Sequence, residues 1–169
     1  IDAVKQITGG KMVGISEDGR KKREEWLEAT RKEEEEKSRR ATKAAIQRWD
    51  AADTASDDHP YLERKCITAT GAIRQSEDGK LLIPVYGLDG NMQSVQAISG
   101  DGEKRYQASA PLSYGSFCMG INMGGQTIIC EGYATAVSVY DAMAGHVCVA
   151  FDCGNMEKIA RKYVEQGRS

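Results

Sequence analysis

Residues 126–166 read QTIICEGYATAVSVYDAMAGHVCVAFDCGNMEKIARKYVEQ, and the fold turns on this stretch. Thr127-Ile128-Ile129-Cys130 is a short continuous apolar run, the pattern of a strand buried on both faces. Glu131-Gly132 ends it. Residues 133–143 are rich in Ala and Val and read as a helix closed by Gly145; 146–151 read as a second buried strand. Gly154-Asn155 reads as a turn, and 156–166 as a second helix with Gly167 after it. The order is βαβα, and the connection lengths imply parallel pairing with a right-handed crossover.

Upstream, over 67–123, the period changes. Residues 81–86 (LLIPVY) and 92–98 (MQSVQAI) flank Leu88-Asp89-Gly90-Asn91, where Asp-Gly is a hairpin signal. Asp101-Gly102 supplies a second turn before a strand over 104–107, so this part is a small antiparallel β unit. Further upstream, about 20–50 has the composition of a helix. Glutamates stand four residues ahead of basic partners (Glu28 and Lys32, Glu33 and Lys37, Glu35 and Arg39, Glu36 and Arg40), each pair adding roughly 0.2–0.5 kcal/mol to an isolated helix. Apolar residues lie only at its ends, Trp26 and Leu27 first, then Ala44, Ala45, Ile46 and Trp49. A coiled-coil seam needs them throughout, so a solvated spacer or docking helix is the better reading. Its expected stop is near Asp57-Asp58, because Pro60 disfavours helical geometry just before it. Pro60 then suits the first turn of a short helix over 61–65. Residues 1–10 read as the end of a helix stopped by Gly9-Gly10, as though something preceding it were cut away.

The whole chain carries 169 residues and a net charge of −2, so it lacks the strongly basic balance that by itself predicts nucleic-acid binding. The charge is uneven. Residues 1–50 hold 13 Lys and Arg against 11 Asp and Glu, and residues 51–169 hold 10 against 14, which suits a cation site better than a phosphate-gripping surface. Five cysteines without CxxC or Cys/His ligand spacing support neither a disulfide framework nor a zinc site; most are expected to be reduced, small apolar residues. No stretch approaches the roughly 18 apolar residues of a membrane span, and no signal-peptide core is present at the N-terminus. A cytoplasmic location and no membrane partner are the expectations.

Glu131 stands at the carboxyl end of the first parallel strand, where open α/β sheets place their ligands. Gly132 lets the backbone turn sharply, and the amides opening the next helix favour an anion. A carboxylate beside them makes sense with a bridging divalent metal or as a general base, although spacing alone fits a plain helix cap equally well. Lys104 and Arg105, and Arg64 and Lys65, are basic pairs able to contact template or nucleotide phosphates, or simply to be solvated. His59 reads as the cap of the short helix and His146 as the start of a strand.

The string IICEGYATAVSVYDAMAGHVCVAFDCGNM resembles the Toprim domain of DNA primases carried by phages, plasmids and integrated mobile elements, in which EGYATA and a later AF-x-x-GN string recur. HPYLERKCI, then LLIPVYGLDGNMQSVQAISGDGEKRY, then the glycine-rich stretch to MGI resemble the segment that precedes Toprim in the same proteins. The likeness covers about 59–156, while residues 1–50 resemble only weakly the stretch after a zinc-binding head. It implies an α/β fold in three parts: a charged helical linker over 1–56, a small β subdomain over 57–123, and the N-terminal half of a Toprim parallel sheet over 124–169. The activity it implies is primer synthesis on a single-stranded DNA template from nucleoside triphosphates, assisted by Mg2+ or Mn2+, with a helicase as a possible fused domain or partner.

In Toprim enzymes the glutamate after the first strand works with an Asp-x-Asp pair after the third. Glu131 matches that glutamate and Gly132 its neighbour; no Asp-x-Asp occurs over 126–169. Asp152 follows the second strand, in AFDCGN, and reads more readily as a turn-stabilising acid than as a metal ligand, though close enough to help. The resemblance therefore implies a fragment that binds Mg2+ weakly and is inactive alone. The alternative is a non-catalytic Toprim-derived module that binds DNA or a helicase.

Overall fold

The computed structural model describes residues 16–122 and 125–166; the helix end expected at 1–10 and the glycine at 167 lie outside them. The chain is α/β: a long helix α1 (Glu17–Asp50), an antiparallel sheet, then a mixed sheet. Residues up to 36 form one unit and those from 37 onward a second.

In the first unit α1 is solvated, with Trp26 and Leu27 exposed and ion pairs spaced four residues apart, Lys32 to Glu28 at 2.7 Å and Arg31 to Glu35 at 3.5 Å. Such surface pairs add little. Amides over 20–36 are expected to exchange with solvent within the dead time of a hydrogen-exchange experiment, as a helix without tertiary burial should. Strong protection there would contradict this assignment.

In the second unit, strands β1 (Asp53–Thr54), β2 (Arg74–Gln75), β3 (Leu81–Tyr86), β4 (Met92–Ile98) and β5 (Lys104–Tyr106) pair antiparallel in that order. Helix α2 (Pro60–Lys65) lies between β1 and β2 in the chain and is capped by His59, whose Nδ1 accepts from the Tyr61 amide at 3.2 Å. The turn at Asp89-Gly90 has the expected form: Gly90 adopts φ +77° and the Asp89 carboxylate accepts from the Asn91 amide at 3.0 Å. Alternation along β3 and β4 builds two cores. Leu82, Val95 and Ala97 pack with Ala45 and Trp49 from the end of α1; Leu81, Ile83, Val85 and Ile98 join the larger core with Leu62, Phe117, Tyr133 and Val149. Pro84 is tolerated in so central a strand because β2 pairs only with Leu81 and Leu82.

The second sheet has the order β6-β8-β7, from β6 (Phe117–Met119), β7 (Thr127–Cys130) and β8 (His146–Val149). β7 and β8 are parallel, as expected, with helix α3 (Tyr133–Met143) between them and helix α4 (Cys153–Glu165) after.

Five expectations need correction. α1 ends at Asp50, not near Asp57-Asp58, because Arg74 donates to the Trp49 carbonyl at 2.7 Å and stacks 4.9 Å from its indole, and β1 then pairs with β2. β7 is only partly buried except at Cys130. β6 pairs antiparallel with β8, so the second sheet draws a strand from the segment assigned wholly to the β unit. Gly154-Asn155 is no turn but the first turn of α4, started early because Asp152 caps it by accepting from the Asn155 amide at 2.8 Å. Cys118 and Cys148, direct neighbours across β6 and β8, are joined by a disulfide, while Cys66, Cys130 and Cys153 are free. Among the described residues no helix is long and apolar enough to cross a membrane.

Candidate active site

Parallel pairing sets Cys130 beside Val149, so β7 and β8 end together and release Glu131 and Asp152 on the same edge of the sheet. The two exits are tied by the Phe151 amide, which donates to the Glu131 carbonyl at 2.8 Å, and Phe151 turns the chain away with φ +72°. Both acidic side chains are exposed. The Oδ1 atom of Asp152 is engaged in capping α4, in keeping with its reading as a loop-stabilising acid.

Beneath this edge lies Tyr106. Its hydroxyl accepts from Gln96 Nε2 at 2.6 Å and donates to the Phe151 carbonyl at 3.1 Å. Burial pushes this phenol above its usual pKa, and the negative charges of Asp152 and Glu131 push it the same way, against the Gln96 hydrogen bond. Both carboxylates thus lie within electrostatic reach of one phenol.

Gly132 caps α3 with an extended backbone and no side-chain bond; of the opening amides, that of Ala134 is bonded to the Tyr61 phenol. A Cβ at Gly132 would lie 3.2 Å from Lys104 Nζ, so the ammonium stands close to the helix start and a larger residue would push it back by a few tenths of an ångström. Two positive features therefore converge, an arrangement that an anion relieves. They border an open groove of about 280 Å³ that also takes in Arg64, Lys65, Tyr61 and Thr135. Arg64 is held there by donating to the Gly100 carbonyl at 2.7 Å.

Of the residues singled out in the sequence, Arg64, Lys65, Lys104 and Gly132 share this groove, and Glu131 immediately precedes Gly132. Arg105 does not line it. Adjacent residues of a strand point to opposite faces, and Arg105 makes two bonds to Glu103 Oε1 at 2.8 and 3.0 Å. His146 opens β8 as expected. Tyr133 escaped the sequence reading. Fully buried, its hydroxyl both donates to the Thr70 carbonyl and accepts from the Thr70 amide, each at 2.9 Å, pinning the first turn of α3 to the segment after α2. A tyrosine directly after Glu-Gly was the available signal.

Sequence comparison supports a primase-related family. Two proteins of Escherichia coli named DNA primase TraC are each 33% identical to this chain, over 142 and 144 residues, or 78% and 79% of its length. The chain spans only 13% and 10% of those relatives. No family profile matches it, and no solved structure does.

Proposed function

We propose that this chain is part of a DNA primase that makes short primers on single-stranded DNA by metal-dependent nucleotidyl transfer, with the β6-β8-β7 sheet and its helices as the first half of a Toprim sheet, the antiparallel β1–β5 sheet as the subdomain before it and the solvated part of α1 as a linker. The observation that carries this reading is Glu131, exposed at the carboxyl end of a parallel strand and followed at once by a helix start at Gly132 over which Lys104 is poised. Mg2+ or Mn2+ takes oxygen ligands, commonly one or two carboxylates plus substrate phosphates, and the exposed pair Glu131 and Asp152 fits that partial set. Glu131 would hold the cation, with Asp152 contributing less because its Oδ1 is spent on α4. A cation bound there neutralises charge developing on the transferring phosphoryl group. Glu131 not engaged in this way would instead accept the proton of the attacking hydroxyl. The other opening amides of α3 and Lys104 bind a nucleotide phosphate, and Arg64 and Lys65 receive template phosphates.

A second reading is a module that binds DNA or a helicase without catalysis, which the groove formed by Arg64, Lys65, Lys104 and Gly132 would serve equally well. Binding of single-stranded DNA measured by fluorescence anisotropy at several salt concentrations tests the shared part of both readings. Lys104→Ala is expected to weaken binding uniformly across sequences and to lower the salt slope by about 1, as loss of one phosphate contact does. An unchanged slope would remove Lys104 from the interface. Primer synthesis separates the two readings.

A further inference from the structure

On the face of the second sheet that turns away from Val147 and Val149, three soft ligand atoms meet. β6 and β8 place Cys118 opposite Cys148, and the two-residue period of β8 puts His146 on the same face as Cys148. The sulfurs of the two cysteines and a ring nitrogen of His146 all lie within 4.8 Å of one another. We propose that Cys118, Cys148 and His146 form a binding site for a thiophilic d10 cation of the Zn2+ class, occupied when the two thiols are reduced and closed when they are joined as the disulfide.

The geometry of the imidazole points to this. Thr127 Oγ1 lies 3.0 Å from His146 Nδ1 across the parallel β7–β8 pair, where Thr127 is the register partner of His146. In the tautomer that carries its proton on Nδ1, that nitrogen donates to the Thr127 oxygen, which also accepts from Asn122 Nδ2 at 3.1 Å, and the lone pair is on Nε2, 3.8 Å from Cys148 Sγ. Metal-binding histidines are commonly fixed in this manner, by a hydrogen bond from the nitrogen that does not ligate. Two sulfurs at about 2.3 Å and a nitrogen at about 2.0–2.1 Å from one tetrahedral ion sit roughly 3.5–3.8 Å apart, so His146 and Cys148 already stand at ligand spacing. The hydroxyl of Tyr163, on α4, lies 3.6 Å from both sulfurs, where it can donate to a thiolate once the disulfide opens. Three protein ligands leave the fourth position to water. Cys118 and His146 are partly exposed, which gives solvent, cation and reductant a way in, whereas Cys148 is fully buried.

The chemistry balances with a dithiol as reductant. Its two sulfurs give up two electrons and two protons and become a disulfide; the Cys118–Cys148 bond takes up both and becomes two thiols. The incoming cation then displaces the two thiol protons to solvent. This site uses none of the residues at the edge that carries Glu131: it runs from the start of β8 at His146 to Cys148, on the face of the sheet opposite Val147 and Val149.

The test is Zn2+ binding by the whole chain, measured by competition with a chromophoric chelator after reduction with a dithiol and its removal under nitrogen, and again after oxidation. One tight equivalent is expected for the reduced protein and none for the oxidised one. Cys118→Ser and His146→Gln are each expected to lose at least tenfold in affinity, while Cys66→Ser and Cys153→Ser, which alter the exposed free cysteines, retain the wild-type value. Far-UV circular dichroism checks that each variant is folded. Should Cys118→Ser unfold, Co2+ in the reduced wild type replaces it: thiolate-to-cobalt charge-transfer absorption with an intensity for two sulfurs, abolished on oxidation, is the expected result. Equal binding by the oxidised chain, loss on replacing Cys66 or Cys153 instead, or a cobalt complex without sulfur absorption would overturn the proposal.

Discussion

Replacing Glu131 by glutamine in the full-length open reading frame is expected to reduce primer synthesis on single-stranded template by about 10²–10⁴-fold, the range lost when a positioned acid or base is removed. The substitution keeps the size of the side chain and deletes its charge. Because Glu131 is exposed just past β7 and makes no part of the apolar core, the fold should persist, so the loss would be chemical. Glu157, exposed on α4 and paired with Arg161 at 2.7 Å, provides the control: Glu157→Gln should leave synthesis unchanged. The present chain alone is expected to make no primer, since one fully available carboxylate supplies too little charge for a two-metal site. Labelled nucleotides with Mg2+ or Mn2+ read all three. Synthesis by the present chain alone would show the metal site misassigned; none by the full-length protein would favour the binding-module reading.

The second large effect belongs to Tyr133. Tyr133→Ala is expected to destabilise the second unit by about 3–5 kcal/mol, the usual range for truncating a large buried aromatic. Tyr133→Phe keeps the packing against Phe117, whose ring centroid lies 6.2 Å away, but leaves the Thr70 amide and carbonyl without their partner. Its cost should be about 1–3 kcal/mol. Urea unfolding followed by circular dichroism should show both as lower midpoints with an unchanged slope. A Phe variant as stable as wild type would mean that those two groups find water at no cost.

These residues also mark where the sequence was legible and where it was not. The βαβ pattern around Glu131 could be read because both parallel strands are short apolar runs, although β7 is only partly buried, and the intervening segment has a helix's length. The Asp-Gly turns could be read because their backbone demands glycine. By contrast, β1 and β2 are two-residue strands with no period to detect, and α1 stops where it does only because Arg74, distant in sequence, seizes the Trp49 carbonyl. The pairing of Cys118 with Cys148 depends on β6 crossing to the second sheet, a tertiary event that 30 residues of spacing do not announce. Within the site, Glu131, Gly132 and Lys104 were each identifiable by type, but that Lys104 sits over Gly132 while Arg105 turns to Glu103 follows from strand alternation at a register the sequence alone does not specify. Tyr106 was missed because its partners, Gln96 and the Phe151 carbonyl, are brought to it only by the folded sheets, whereas Tyr133 was missed although its place directly after Glu-Gly marked it.

The central claim is that the cation sits at the paired ends of β7 and β8, and the location of bound Mn2+ tests it most directly. Paramagnetic broadening of backbone amide resonances on titrating Mn2+ into the chain, in the presence of a nucleoside triphosphate, should be strongest at Glu131, Gly132, Tyr133, Phe151 and Asp152, and should fade there first in Glu131→Gln. Broadening centred instead on the exposed acidic turns at Asp78, Asp89 or Asp101, or unchanged in Glu131→Gln, would contradict it.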